Sequence, residues 1–200
     1  MADAIDFYFD FSSPYGYCMS EKIYALAAAH GRTVSWRPIL LGVVYKTTGA
    51  APLPQVPLKG GYALRDIERS ARFLDVPLRL PEKFPIPTQQ AARAFYWLQL
   101  RDSALARDFA RAAYRAYFVA GQDISQAEAV LDVATTLGVA RDELAAALAS
   151  DEVKALLKTA CDEAVAREVF GSPFVVIDGE PFWGVDRLPQ IERWLQRGGF

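Results

Sequence analysis

Strand-forming sequence is confined to the two ends of this 200-residue chain, and the long stretch between them carries only helical periodicity. Ile5 to Phe11 alternates apolar and polar residues with aromatic enrichment, as a packed strand does. Ser13 and Pro14 read as the N-cap and first residue of a helix, because proline's missing N–H costs nothing there. That helix is expected to run to about His30, with Gly31 as its left-handed terminator. Thr33 to Ile39 is β-branched and aromatic, and Pro38 points to an edge strand or a strand end. At the far end, Phe174 to Ile177 is a short apolar strand, Asp178-Gly179 a two-residue turn, and Pro181 to Gly184 the returning strand. An amphipathic helix from about Arg187 to Gln196 closes an order of β–α–β, helices, β–β–α.

Within the middle, Pro52, Pro54 and Pro57 mark a loop from Gly49 to Pro57, followed by a helical pattern from Tyr62 to Leu74. A second proline-rich connection spans Pro77 to Pro87. Thr88 then caps a helix to Leu100, Ala104 to Ala120 follows, and Ser125 with Glu128 suggests a capping box. Arg141 to Ala149 and Asp151 to Arg167 complete the helices. Tyr96, Trp97, Tyr114 and Tyr117 fall where helices bury aromatic rings.

With 52% hydrophobic and 23% charged residues the chain can bury a substantial core, which excludes a disordered or mini-protein reading. The formal charge is -2 and neither sign forms a block, so nucleic acid is not expected as a partner. No apolar run has the length of a spanning helix, and the acidic start Met1-Ala-Asp-Ala-Ile-Asp is unlike a signal peptide, giving the expectation of a cytoplasmic protein with no membrane partner. Cys18 and Cys161 form no Cys-x-x-Cys pair and read as small buried hydrophobes. The lone His30, at a helix end, is expected to be structural.

Ser13 sits where a strand delivers the chain to a helix start, so converging N–H groups and the helix dipole would stabilise an anion, a thiolate included. The plainer alternative is that Ser13 only caps its helix. Lys59 and Asp186 taken alone read as solvated surface charges. Phe182 and Trp183 are open between hairpin core and the wall of a pocket.

Asp6-Phe-Tyr-Phe-Asp-Phe-Ser-Ser-Pro-Tyr15, Trp36-Arg-Pro-Ile-Leu-Leu-Gly42, Pro57-Leu-Lys59 with Tyr62 and Asp66, Phe170-Gly-Ser-Pro173 and Phe182-Trp-Gly-Val-Asp-Arg187 together resemble the 2-hydroxychromene-2-carboxylate isomerase family, relatives of the kappa-class glutathione transferases. The resemblance implies an α/β, thioredoxin-like fold, with residues 1–50 and 168–200 forming that domain and 51–167 a large inserted all-helical one. It also implies a homodimer that uses glutathione as cofactor and acts on a small aromatic carboxylate by cis–trans isomerisation. Ser13 matches the catalytic serine, whose hydroxyl would hydrogen-bond the glutathione sulfur. Gly16 stands where redox relatives carry their second cysteine. By the same resemblance Ser13, Lys59, Ser172, Pro173, Asp186 and Arg187 would bind glutathione, the Ser172–Pro173 bond being cis. Arg37, Tyr15, Phe182 and Trp183 would contact substrate. Ala50 departs from the asparagine usual in the family, which leaves a kappa-like transferase or peroxidase as the alternative, and a non-catalytic binding module as a third.

Overall fold

The computed structural model describes residues 4–200, so Met1 to Asp3 of the acidic start lie outside the described residues. A four-stranded mixed sheet has the order β2-β1-β3-β4, with β1 Ile5–Phe9, β2 Val34–Pro38, β3 Phe174–Ile177 and β4 Glu180–Trp183. The first pair is parallel and the other two antiparallel. Among the described residues ten α-helices accompany it: α1 Pro14–Ser20, α2 Ile23–Ala29, α3 Leu41–Thr48, α4 Lys59–Phe73, α5 Gln89–Gln99, α6 Ser103–Phe118, α7 Ala127–Thr135, α8 Arg141–Ala149, α9 Asp151–Ala166 and α10 Leu188–Arg197. This is the thioredoxin-like order, with α4 to α9 between its two strand-bearing ends.

Register decides which side chains share a face. Trp36, Phe7, Val175 and Phe182 stand opposite one another across all four strands, and all four are buried. The next row, Arg37, Tyr8, Phe174 and Trp183, points to the other face. Phe9 lies at the centre of the packing: its ring meets Phe7 at 4.9 Å, Phe11 at 5.2 Å, Trp36 at 5.6 Å, Tyr114 of α6 at 5.7 Å and Phe95 of α5 at 6.0 Å. The sheet and the helices therefore contribute to one continuous hydrophobic core. Tyr114, Tyr117 and Trp97 are buried in it, as are both cysteines.

The expected edge position of β2 is observed, and its outward carbonyls are taken up by α5: Tyr96 Oη donates to Pro38 O at 2.8 Å and Gln99 Nε2 to Trp36 O at 3.3 Å. Pro181 lies in β4, the opposite edge. The hairpin turn has both Asp178 (φ 53°) and Gly179 (φ 90°) in the left-handed region, as a two-residue turn between twisted strands requires.

Several local expectations change. The helix expected from Pro14 to His30 is two helices, broken at Glu21 and Lys22, where Arg115 of α6 grips the Glu21 carboxylate with contacts of 2.7 and 2.9 Å. Helix α3 follows β2 directly, a stretch for which periodicity gave no element. The capping box does not form: Ser125 Oγ donates to Asp123 instead, Glu128 pairs with Arg141, and α7 begins after Gln126. Thr88 does stand at the N-cap of α5, but its hydroxyl donates to Asp10 rather than capping. Among the described residues no helix is long and apolar enough to cross a membrane.

Candidate active site

Where β1 ends, four residues carry the chain into α1, and Ser13 is the N-cap with extended backbone (φ -89°, ψ 113°). Its Oγ accepts the Gly16 N–H at 3.0 Å, the capping bond expected of this residue type. The same hydroxyl donates to the carbonyl of Ser172 at 2.9 Å. The Ser172–Pro173 bond is cis, so the opening helix and the loop before β3, 159 residues apart, meet at one hydroxyl. Ser13 is only 5% exposed, so both bonds of its hydroxyl are made in a nearly closed corner.

Gly16 shows why no second sulfur works beside Ser13. A Cβ at this position would lie 2.7 Å from Tyr114 Oη and 2.9 Å from Ser172 Oγ. Neither atom can retreat, since Tyr114 Oη donates to Asp10 O at 2.9 Å and Ser172 Oγ accepts the Asp10 N–H at 2.9 Å. Alanine for glycine inside a helix normally gains about 1 kcal/mol, whereas overpacking costs about 1–3 kcal/mol. Gly16→Ala is therefore expected to lower the thermal midpoint. Gly61→Ala in α4, where nothing lies within 4 Å, is expected to raise it, and thermal melts of the two variants decide. The nearest cysteine in sequence, Cys18, is buried and its pKa is pushed up to about 12 by desolvation, so it stays a thiol.

Tyr15 occupies the first turn of α1, and its hydroxyl donates to Asp66 of α4 at 2.6 Å. That bond, with help from Arg69 and Tyr62, holds the Asp66 carboxyl below the usual carboxylate range, while burial and Asp66 together push the Tyr15 hydroxyl up. Lys59, Tyr62 and Asp66 lie three and four residues apart on one stripe of α4, so the helix that docks on α1 through Asp66 presents Lys59 at its exposed start. Asp186 and Arg187 sit in a single 3-10 turn, Val185–Arg187, that packs beside α1. They pair with each other at 3.0 Å, and the Asp186 side chain is 69% exposed. Gly184 (φ 105°) lies so close under the Asp186 carboxylate that a Cβ would collide with it.

The structure thus brings Ser13, Ser172 and Pro173 together, and sets Tyr15, Asp186 and Arg187 on or beside α1. Two expected substrate contacts are not part of this corner. Phe182 faces the core against Trp194 of α10 at 5.7 Å, because register gives it the buried side of β4. Arg37 is committed to Asp6 at 2.7 Å and lies over the Tyr8 ring, on edge strand β2 at the far end of the row that ends in Trp183. Trp183, one residue on from Phe182, is 56% exposed and packs on Phe170 and over Gly171, next to Ser172. Sequence reasoning missed Asp10 and Tyr114 as parts of the site. Alternation hid Asp10, since a polar residue is expected at that position of the pattern, and Tyr114 read as one more buried helical ring.

Comparison with known proteins bears on the fold and the family. The DsbA-like thioredoxin domain matches residues 4–196. A protein named glutathione S-transferase kappa 2 of Caenorhabditis elegans is 31% identical over 204 residues, covering 96% of this chain and 91% of that protein. A 2-hydroxychromene-2-carboxylate isomerase of Sphingobium xenophagum is 30% identical over 201 residues, covering 98% and 99%. A solved 2-hydroxychromene-2-carboxylate isomerase structure superposes with a TM-score of 0.88 at 26% identity, over 98% of this chain and 95% of that one. The chain belongs to the DsbA-like thioredoxin family, among the relatives of the kappa-class glutathione transferases and 2-hydroxychromene-2-carboxylate isomerases.

Proposed function

We propose that the protein is a glutathione-dependent cis–trans isomerase of the 2-hydroxychromene-2-carboxylate type, acting on small aromatic carboxylates. The observation that carries this reading is the Ser13 hydroxyl placed 2.9 Å from the Ser172 carbonyl, with no cysteine at position 13 or 16 to do thiol chemistry itself. Three groups of the chain suit the polar parts of glutathione. The exposed Asp186 carboxylate suits its ammonium, the Lys59 ammonium suits a carboxylate, and the Ser13 hydroxyl suits its sulfur. Bound glutathione would supply a thiolate that adds reversibly to the conjugated double bond, leaves a single bond free to rotate, and departs with no net redox change.

What the chain itself does is narrower. The Ser13 hydroxyl, which donates to the Ser172 carbonyl, would turn its proton towards a bound sulfur and favour the thiolate over the thiol. The Ser172 carbonyl, once free of that bond, would be the acceptor for a backbone N–H of the cysteinyl unit. Trp183 and Phe170 offer the aromatic surface next to Ser172. The ultraviolet spectrum of a chromene carboxylate, followed with and without glutathione, tests the reading. Conversion that requires glutathione is expected, and conversion indifferent to it, or none, overturns it. A kappa-like transferase is the second reading, favoured by Ala50 and by the 31% identity to a kappa-class protein. Conjugation of a generic electrophile without chromene turnover would decide for it.

A further inference from the structure

We propose that Asp10 is a positioning residue for this site: its buried carboxylate fixes the backbone of residue 10, and that backbone sets Ser13 and Ser172 against each other. The inference deepens the reading above, and its bearing on turnover rests on that reading.

Asp10 lies one residue beyond β1 and is 5% exposed. One carboxylate oxygen accepts the Ser12 N–H at 2.8 Å and the Thr88 hydroxyl at 2.8 Å, and the other accepts the Leu41 N–H at 2.7 Å. These donors come from the approach to α1, the start of α5 and the start of α3. The backbone of the same residue faces the site. Its N–H donates to Ser172 Oγ, while its carbonyl accepts both the Ser13 N–H at 2.8 Å and the Tyr114 hydroxyl. Ser13 and Ser172, the two residues joined by the 2.9 Å bond, are each also tied to residue 10.

Residue type follows from the partners. All three groups around the carboxylate donate to it, so an asparagine of the same shape would keep one accepting oxygen and turn its amide N–H groups towards the donors of the other side, and an apolar residue would take this acceptor from the Ser12 and Leu41 N–H groups. Burial raises the Asp10 pKa, and the bonds from Ser12, Leu41 and Thr88 oppose that rise. A buried ion is a poor stabiliser in itself, and here it joins three chain segments at the one point where the site is assembled.

Asp10→Asn is the direct variant but endangers folding, so the test uses Thr88→Val, which keeps the side-chain shape and removes the donor, and Thr88→Ser, which restores it. Amide hydrogen exchange is measured at Asp10, Ser13 and Gly16 in the protein without glutathione. Thr88→Val is expected to speed exchange at these three amides by about tenfold, with amides inside α6 and α9 unchanged and Thr88→Ser at the wild-type rate. Unchanged exchange at the three amides, or faster exchange throughout the fold, overturns the proposal. In the turnover assay Thr88→Val is expected to lower kcat/KM for glutathione, with Thr88→Ser at the wild-type value, and to cost less in a Ser13→Ala background than in the wild type. A full additional loss in that background also overturns it. A wild-type protein without glutathione-dependent turnover would defeat the functional reading instead, and the exchange experiment would still decide whether Asp10 positions the corner.

Discussion

Ser13→Ala is expected to fold and to lose roughly 100- to 1,000-fold of its glutathione-dependent turnover, the range found when one donor to a developing anion is removed. The hydroxyl has two bonds here. Accepting from Gly16 N–H is structural, and losing it costs about 1 kcal/mol as an N-cap deletion. For a chain of this size that is a drop in midpoint of about 2–4 °C. Donation is the bond that would be redirected from Ser172 to sulfur, and among the described residues no other hydroxyl is bonded to that carbonyl. Ser12→Ala is the control: the neighbouring hydroxyl accepts the Ile86 N–H at 3.1 Å, so its removal disturbs the same loop without touching the sulfur's donor. Turnover at saturating glutathione, with melting curves for both variants, separates catalysis from folding. Turnover of Ser13→Ala within about threefold of wild type would take the hydroxyl out of the chemistry.

Phe9→Ala is expected to be the most damaging single truncation, at about 3–5 kcal/mol for a large aromatic ring in a fixed core. At about 2–4 °C per kcal/mol the midpoint falls by about 6–20 °C. The size follows from position. The Phe9 ring joins its strand neighbours to Trp36 on one side and to Tyr114 and Phe95 of the helical region on the other, so no single neighbour can collapse into the space. Because these rings belong to one cluster, the helical signal and the tryptophan fluorescence should shift together. Two separated transitions, only one of them moved, would show that the sheet and the helices melt independently.

The outline of the fold was legible because its signals are short-range. Alternation in Ile5 to Phe9, apolar character in Phe174 to Ile177 and a turn at Asp178-Gly179 each depend on a few adjacent residues. That Ser13 meets Ser172 and Pro173 was legible because those residues stand in recognisable strings. What was not legible depends on distance. The bonds of Asp10 to Thr88 and to Tyr114 span 78 and 104 residues, and no local pattern encodes them. The break between α1 and α2 has no proline or glycine to announce it, and lies where Arg115 reaches Glu21 from another helix. Serine at 125 and glutamate at 128 have the spacing of a cap, yet Asp123 and Arg141 compete for them and win. Phe182 and Trp183 could be separated only by strand parity, since adjacent residues of β4 point to opposite faces.

The treatment of the two outermost strands limits how copies of this protein can associate. An open strand invites another chain to continue the ladder, and that is a common route to swapped or fibrous assemblies. Along β2 the outward oxygens of Trp36 and Pro38 already have donors from α5, and along β4 Pro181 has no amide hydrogen to lend. Neither border is a good template for recruitment, so two molecules that meet must recognise each other through side chains, and each keeps its own sheet.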